Sequence, residues 1–520
     1  MRPERTIAAA PAVIFGTSFI EGAAVLVVEI AGARTLAPFY GASLVVWTSQ
    51  ITATLLFLAL GYLAGGWLSR RWQPSYLSSL FVTAGLWLCL VPTFRSALLN
   101  ATAPSLGIAA GSFVSACIMF GLPLACFGAV SPVLIEQWNR VRPGAGGAAG
   151  IVFFVSTIGG LTGAWLTALI LVPRLSMRVS ILACGLLLVA VGAAWRMLMG
   201  RRQRVEAVSA LVGASVLVAI APTPVMAVDL GGQPLTVVYA KQSSVGLIQV
   251  LDLPGFSQRM LLVDGIVQSG MHTQHGYCMF EFTEYLNVMG YGYHTGAKNA
   301  LLLGLGSGCL ARQLHARGVR VTAIEVDPKI IEVARGWFGL PGEVTVIEGD
   351  ARTAMKGLSE RFDLVFGDVF VGESVPWYLF TREGLEAARN VLTPGGRLLV
   401  NFVTTPEGSP GLERVEASMA NVFDATLVHI EPQSREPNGL VNATLVGGRD
   451  LVWSPAPMPS RIDENFGEAM ARMKANVRPA REGARVGTDD LSDLDFADAR
   501  IRLKWRALSL GLLDARLLAD

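Results

Sequence analysis

Ala300-Leu-Leu-Leu-Gly-Leu-Gly-Ser-Gly308 is a short apolar run that ends in three alternating glycines. The chain downstream repeats the same plan. Arg320–Ile324 leads into Glu325-Val-Asp327 and a helix beginning at Pro328. Val344–Ile347 leads into Glu348-Gly-Asp350. Leu364–Phe366 leads into Asp368. A helix over about 382–392 precedes Pro394-Gly-Gly396 and the strand Arg397–Phe402. Short apolar strands alternating with helices imply a mostly parallel sheet, with ligands received at the carboxyl ends of its strands.

The residues at those ends have a chemistry in common. Gly304, Gly306 and Gly308 let a ligand come close to the backbone, although a glycine loop by itself serves NAD equally well. Glu325, ending the next strand, can accept from both hydroxyls of a ribose, as it would in an NAD fold. Asp350, ending the third strand, can accept from an adenine amino group and separates the two readings. The ordered series points to a nucleoside sulfonium such as S-adenosylmethionine (AdoMet) rather than a dinucleotide.

Upstream, residues 234–240 and 245–252 alternate with β-branched side chains and Arg259–Val263 follows, which reads as a small antiparallel sheet. A helix is expected over about 275–290, placing Tyr277, Glu281 and Glu284 on one face. Residues 456–520 read as helical and charged, more a packing lid than a site. The expected divisions are 1–228, 229–270, 271–455 and 456–520.

The first 228 residues differ in kind. The whole chain is 52% hydrophobic and 16% charged, against about 25% charged in an average soluble domain. The first lysine is Lys241. Apolar stretches at about 9–32, 44–68, 76–94, 105–135, 148–172 and 179–197 are long enough to cross a bilayer; a seventh, 206–226, is diluted by small residues and interrupted by Pro222 and Pro224. Glu21 and Glu29 lie within the first stretch, where an acid needs a partner or a polar cavity; Arg34 is a candidate partner for Glu29. The expected architecture is thus a polytopic bundle of six or seven helices fused to a Rossmann-like α/β domain carrying a small N-terminal β-sheet.

With seven spans, ten of the fourteen arginines before residue 205 fall on the side of the N-terminus, which puts that end in the cytoplasm and the α/β half outside. AdoMet, however, is made in the cytoplasm. The expectation adopted is a multi-pass protein of the bacterial inner membrane with a cytoplasmic catalytic half. The six cysteines contain no Cys-x-x-Cys pair and the five histidines are scattered, so no metal site is expected. A net charge of +2 gives no reason to expect nucleic acid.

Over roughly 235–405 the motifs resemble the spermidine synthase (polyamine aminopropyltransferase) family: Leu262-Val-Asp-Gly265, Gln268-Ser269, Tyr277, the loop 304–309, Glu325-Val-Asp327, Asp350-Ala351, Asp368, Leu379-Phe-Thr381 and Pro394-Gly-Gly396. Glu29-Ile-Ala-Gly-Ala-Arg34, Ala37-Pro-Phe-Tyr-Gly41, Gly61-Tyr-Leu-Ala-Gly-Gly66, Thr157-Ile-Gly-Gly160 and Thr488-Asp-Asp490 resemble its bacterial membrane-fused branch. The resemblance implies class I methyltransferase-fold topology. It also implies a nucleoside site formed by Gly304, Gly306, Ser307, Gly308, Glu325, Asp327, Asp350 and Ala351, with Asp368 as general base. Tyr277 and Gln268 would lie near the acceptor. The co-substrate would be AdoMet or decarboxylated AdoMet, without a metal.

Several positions depart from that pattern. Ser307 stands where the family has an acid in its glycine loop, Tyr277-Cys278-Met279 replaces Tyr-Gln-Glu, Val371 replaces a second acid after the base, and Val245-Gly246 replaces an early Tyr-Gln pair. Glu281, Glu284 and Glu373 are candidate substitutes. Ser307 also resembles the loops of AdoMet methyltransferases. Three functions follow: aminopropyl transfer to an amine with release of methylthioadenosine, a different AdoMet reaction (methyl transfer or a lyase), and a non-catalytic sensor or transport module. The partners expected are a small-molecule amine or AdoMet-derived substrate and the lipid bilayer, with a homodimer allowed.

Overall fold

The computed structural model describes residues 11–41, 43–71, 75–141, 144–197, 201–221, 227–230, 233–243, 245–370, 372–431, 439–454, 464–481 and 483–512. Its contacts divide the chain after Val225. Each unit follows from its own sequence pattern.

The first unit is helical. Among the described residues, six of its helices are long and apolar enough to cross a membrane: Pro11–Tyr40, Leu44–Arg70, Ser75–Ala103, Ser105–Arg140, Gly146–Leu171 and Met177–Met197. Backbone continuity between the third and fourth is broken in conformation at Gly107 (φ +69°). Helix Arg201–Ile220, the weak seventh stretch, has 20 residues but is not among the six. In lipid, helices associate by close backbone approach rather than by apolar burial. A Cβ added at Gly159 or Gly163 would lie 2.1 Å from Phe19 O or 2.4 Å from Ala23 O, so this seam against Pro11–Tyr40 admits only glycine. On the same seam, Ser156 Oγ donates to the buried Glu21 carboxylate at 2.8 Å.

The second unit contains two sheets. Strands β1 (Ala227–Leu230), β2 (Gln233–Gln242), β3 (Leu247–Leu253), β4 (Gln258–Val263) and β5 (Ile266–His272) form an antiparallel sheet in sequential order. The large sheet contains β6 (Asn299–Leu303), β7 (Arg320–Glu325), β8 (Thr345–Glu348), β9 (Phe362–Gly367), β10 (Leu392–Thr404), β11 (Ala425–Ile430), β12 (Val441–Gly448) and β13 (Val477–Pro479). Its order is β13-β11-β12-β10-β9-β6-β7-β8. The five strands from β10 to β8 run parallel, while β11, β12 and β13 add an antiparallel edge.

Every residue of β6 is buried, as a strand covered on both faces requires. Burial of side chains such as Leu301, Leu302 and Leu303 contributes about 1.5–3 kcal/mol each. From β6 the chain first adds β7 and β8 on one side, then returns to add β9 and β10 on the other. That reversal opens a crevice at the carboxyl ends of β6 and β9.

The expected helix over 275–290 starts later, at Glu281, and runs to Tyr293. Tyr277 precedes it, within a segment bridged to β5 through Cys278 and Met271, so Tyr277, Glu281 and Glu284 do not share a helical face. The segment expected to be helical after 456 includes helix Glu464–Ala475, strand β13 and helix Ala499–Leu512.

Candidate active site

The strand register brings the predicted residues to one level. Leu303 of β6 pairs with Ile324 of β7 and Gly367 of β9, and Glu325 pairs with Glu348 of β8. Gly304, Glu325 and Asp368 lie one residue beyond Leu303, Ile324 and Gly367, and Asp350 lies two beyond Glu348. All four line a cleft whose space, counted to its open mouth, is about 1140 Å³. Gly306, Ser307, Ala351 and Gln268 line it too.

Gly304 is the tightest point. Its φ is +87°, and a Cβ there would stand 2.6 Å from the Asp368 carbonyl oxygen; any side chain would push apart the two strand ends that form the cleft. At Gly306 (φ +54°) the nearest atom to such a Cβ is Ser269 Oγ, 3.7 Å away, so this part of the bend is open for a ligand. The bend is held from two sides. Ser307 N donates to Ser269 Oγ at 3.1 Å, and Leu305 N donates to Glu325 Oε2 at 3.0 Å.

The three cleft acids have different surroundings. Glu325 is 9% exposed. Its Oε1 accepts from Asp327 N at 3.1 Å. Burial raises its pKa, while the backbone donors from Asp327 and Leu305 oppose that shift. Asp350 caps the helix starting at Ala351: Oδ1 accepts from Thr353 N (2.9 Å) and Oδ2 from Tyr378 Oη (2.8 Å). Burial pushes the Asp350 carboxyl up, but the donors Thr353 and Tyr378 and the charge of Arg352 bring it below its ordinary value. Asp368 is raised to about 6 by burial, opposed only by Asn401 Nδ2, which donates to Oδ1 at 3.0 Å. Oδ2 of Asp368 is left for a ligand.

Five predicted residues lie elsewhere. Asp327 is fully buried and caps helix Pro328–Phe338, accepting from Lys329 N at 2.8 Å and from Ser243 Oγ; it supports the loop without lining the cleft. Tyr277 is exposed and stacks on His272 at 4.8 Å between centroids. Glu281 accepts from Tyr285 Oη at 3.0 Å, outside the lining. Glu373 is 3% exposed and ion-paired with Arg506. Gly308 is not in the lining either; it is the left-handed residue (φ +75°) that opens helix Cys309–Ala316. Val371 lies outside the described residues. Among the described residues, no group of three or more metal-ligating side chains is found.

Three cleft contributors escaped the sequence reading. Tyr378 lines the cleft and holds Asp350. Asn401 orients Asp368, and its only signal was one amide in the apolar run Leu398-Leu-Val-Asn-Phe402. Cys309 also lines the cleft; the neighbouring Cys278 thiol, reinforced by Arg312, brings its own thiol below the ordinary value against the opposing effect of burial. The Thr488-Asp-Asp490 motif braces the Tyr378 segment from outside: Asp489 accepts from Arg352 Nη1 at 2.6 Å and from Thr381 Oγ1 at 2.9 Å.

Parts of this chain are similar to known proteins. A methyltransferase domain family model matches residues 300–396. A probable polyamine aminopropyl transferase of Bifidobacterium longum is 29% identical over 130 residues, 24% of this chain and 29% of its own length. A polyamine aminopropyltransferase of Corynebacterium efficiens is 31% identical over 313 residues, 54% of this chain and 58% of its own. The chain therefore spans less than two thirds of the length of either relative. A probable spermidine synthase structure from Corynebacterium glutamicum aligns with 49% of this chain and 97% of its own at 20% identity and a TM-score of 0.39.

Proposed function

We propose that this chain, a spermidine synthase-like protein whose α/β unit follows a helical bundle of membrane type, transfers the aminopropyl group of decarboxylated AdoMet to an amine. The observation carrying the reading is the contrast within one cleft. Glu325 and Asp350 are anchored by backbone donors at the ends of adjacent strands, while Asp368 faces the glycine bend with a raised pKa and one unbonded oxygen.

In this reading the two anchored carboxylates hold the nucleoside, Glu325 at the ribose hydroxyls and Asp350 at the adenine amino group. The open backbone at Gly306 receives the sulfonium arm. Asp368 removes a proton from the acceptor ammonium. The freed nitrogen pair attacks the carbon beside the sulfonium, a C–N bond forms, and the C–S bond breaks with its electron pair going to sulfur. Neutral methylthioadenosine leaves. A base with a pKa of about 6 is ionised at neutral pH and close enough to it to exchange protons. Among the described residues no Lys, Arg or His lines the cleft, so the α-carboxylate of intact AdoMet would have no cationic side chain from them there. That favours the decarboxylated donor over methyl transfer or a lyase.

The full-length protein, purified with its helical unit, would be incubated with each donor and an amine panel and its products identified by mass spectrometry. Methylthioadenosine together with an aminopropylated amine is expected. S-adenosylhomocysteine from intact AdoMet, or methylthioadenosine without an amine product, would replace the proposal with methyl transfer or a lyase. The six long apolar helices support a multi-pass membrane location, with the catalytic unit on the side where AdoMet is made.

A further inference from the structure

The acceptor end of the cleft is short of negative charge. Of the three acids that line it, Glu325 and Asp350 are committed to the backbone amides and the phenol described above, at the nucleoside end. Only Asp368 faces the acceptor with a free oxygen. The walls beside it are apolar: Val245, Val263, Val369, Phe370 and Pro376, with Gln268 as the neutral polar neighbour. Gln268 itself donates to Gly372 O at 2.9 Å.

The other acids of this region stand outside the cleft lining. Glu373, five residues after Asp368, is neutralised by the buried Arg506, whose Nη1 also donates to Asp264 O at 2.5 Å. Glu284 takes the Gln313 amide on Oε1 while its Oε2 is buried without a hydrogen-bond partner, and Glu281 takes the Tyr285 hydroxyl; neither lines the cleft. Helix Ala499–Leu512 reinforces the apolar wall from behind, with Trp505 packed edge-on against Phe370 at 5.3 Å. The same helix brings Arg502 to the loop, donating to Ser374 Oγ at 3.1 Å. Among the described residues Asp368 is thus the one carboxylate lining this end; the Glu373–Arg506 pair, the Arg502 guanidinium and the buried Asp264 carboxylate, which accepts from Leu247 N at 2.8 Å, stand outside the lining.

We infer that the acceptor is a monoamine, one ammonium carried on an apolar body, rather than a diamine or polyamine. One ammonium can be paired with Asp368 and deprotonated there. A second, a few carbons away, would leave water for aliphatic and aromatic walls with no carboxylate to meet it, and transfer of an ion from water without a partner is strongly unfavourable. An alkyl chain in the same place loses nothing and gains from contact with Val263 and Phe370.

This inference rests on the transferase reading, and one experiment separates the two. n-Butylamine and putrescine have the same four-carbon chain and differ only in the second amine. The full-length protein would be assayed with decarboxylated AdoMet and each amine in turn, with the aminopropylated products quantified by mass spectrometry. The expected result is a kcat/KM for n-butylamine at least tenfold above that for putrescine, rising further with n-hexylamine. A ratio below tenfold, or a preference for putrescine, overturns the monoamine assignment and leaves the transferase reading standing. Absence of aminopropyl transfer to either amine overturns both.

Discussion

Asp350 and Asp368 are the same residue type at equivalent places in the sheet, each just past the carboxyl end of a parallel strand and each lining the same cleft. Their surroundings drive them apart. Asp350 opens a helix, so Thr353 N and the Tyr378 hydroxyl hold the ionised form. Asp368 opens no helix; one amide donor, Asn401, offsets only part of its desolvation, and it rises to about 6. A carboxylate that must bind is surrounded with donors, whereas one that must take up a proton is deprived of them.

The largest expected effect breaks the comparison at its reactive side. Asp368→Asn should lower kcat by about 10²–10⁴-fold, the range for losing a general base, while the nucleoside Kd from calorimetry stays within about twofold. A matching loss of binding would assign Asp368 to the nucleoside instead. The same variant has a stability signature. Because the folded-state constant of Asp368 lies above its ordinary value, the ionised side chain destabilises the fold above pH 6, and that penalty disappears as pH falls below about 4. Asp368→Asn should therefore raise the stability of the α/β unit at pH 8, by at most about 3 kcal/mol, and leave it unchanged at pH 4. Denaturant melts at the two pH values measure this.

Asp350→Ala tests the other side. Losing a charged acceptor costs about 1.5–3 kcal/mol, so nucleoside Kd should weaken by about 10–100-fold while the rate at saturating donor is largely kept. Below pH 6, kcat/KM should fall about tenfold per unit as Asp368 is protonated. A profile flat to pH 5 would remove Asp368 as the base. The smallest effect is Tyr378→Phe. Without its phenol, Asp350 loses one neutral donor, about 1 kcal/mol, and nucleoside Kd should weaken about fivefold; an unchanged Kd would make Tyr378 only a wall of the cleft.

Much of the cleft was legible because its signals are local. Glycines at 304, 306 and 308 after an apolar run, and acids at the ends of the next strands, follow from the alternation of strand and helix, which fixes where each residue falls relative to its own element. Tyr277 and Glu373 were misjudged for the opposite reason. Tyr277 depended on where a helix begins, and the bridge of Cys278 to Met271 delays that start to Glu281. Glu373 depended on a partner more than a hundred residues away, Arg506, which no local pattern announces. Asp327 looked like a ligand-binding acid because it follows Glu325, but the turn into Pro328 directs its carboxylate to cap the helix.

The order of residues alone determined that a long apolar half precedes an α/β half, and that a glycine bend and a series of strand-end acids occur in the second. Periodicity and length carry that information, since each element's burial pattern is written along its own segment. Only the tertiary structure decided which acids are already satisfied and which one keeps an open oxygen. Hydrogen-bond satisfaction and desolvation depend on groups that folding brings together from distant parts of the chain, as Asn401 is brought to Asp368 and Arg506 to Glu373.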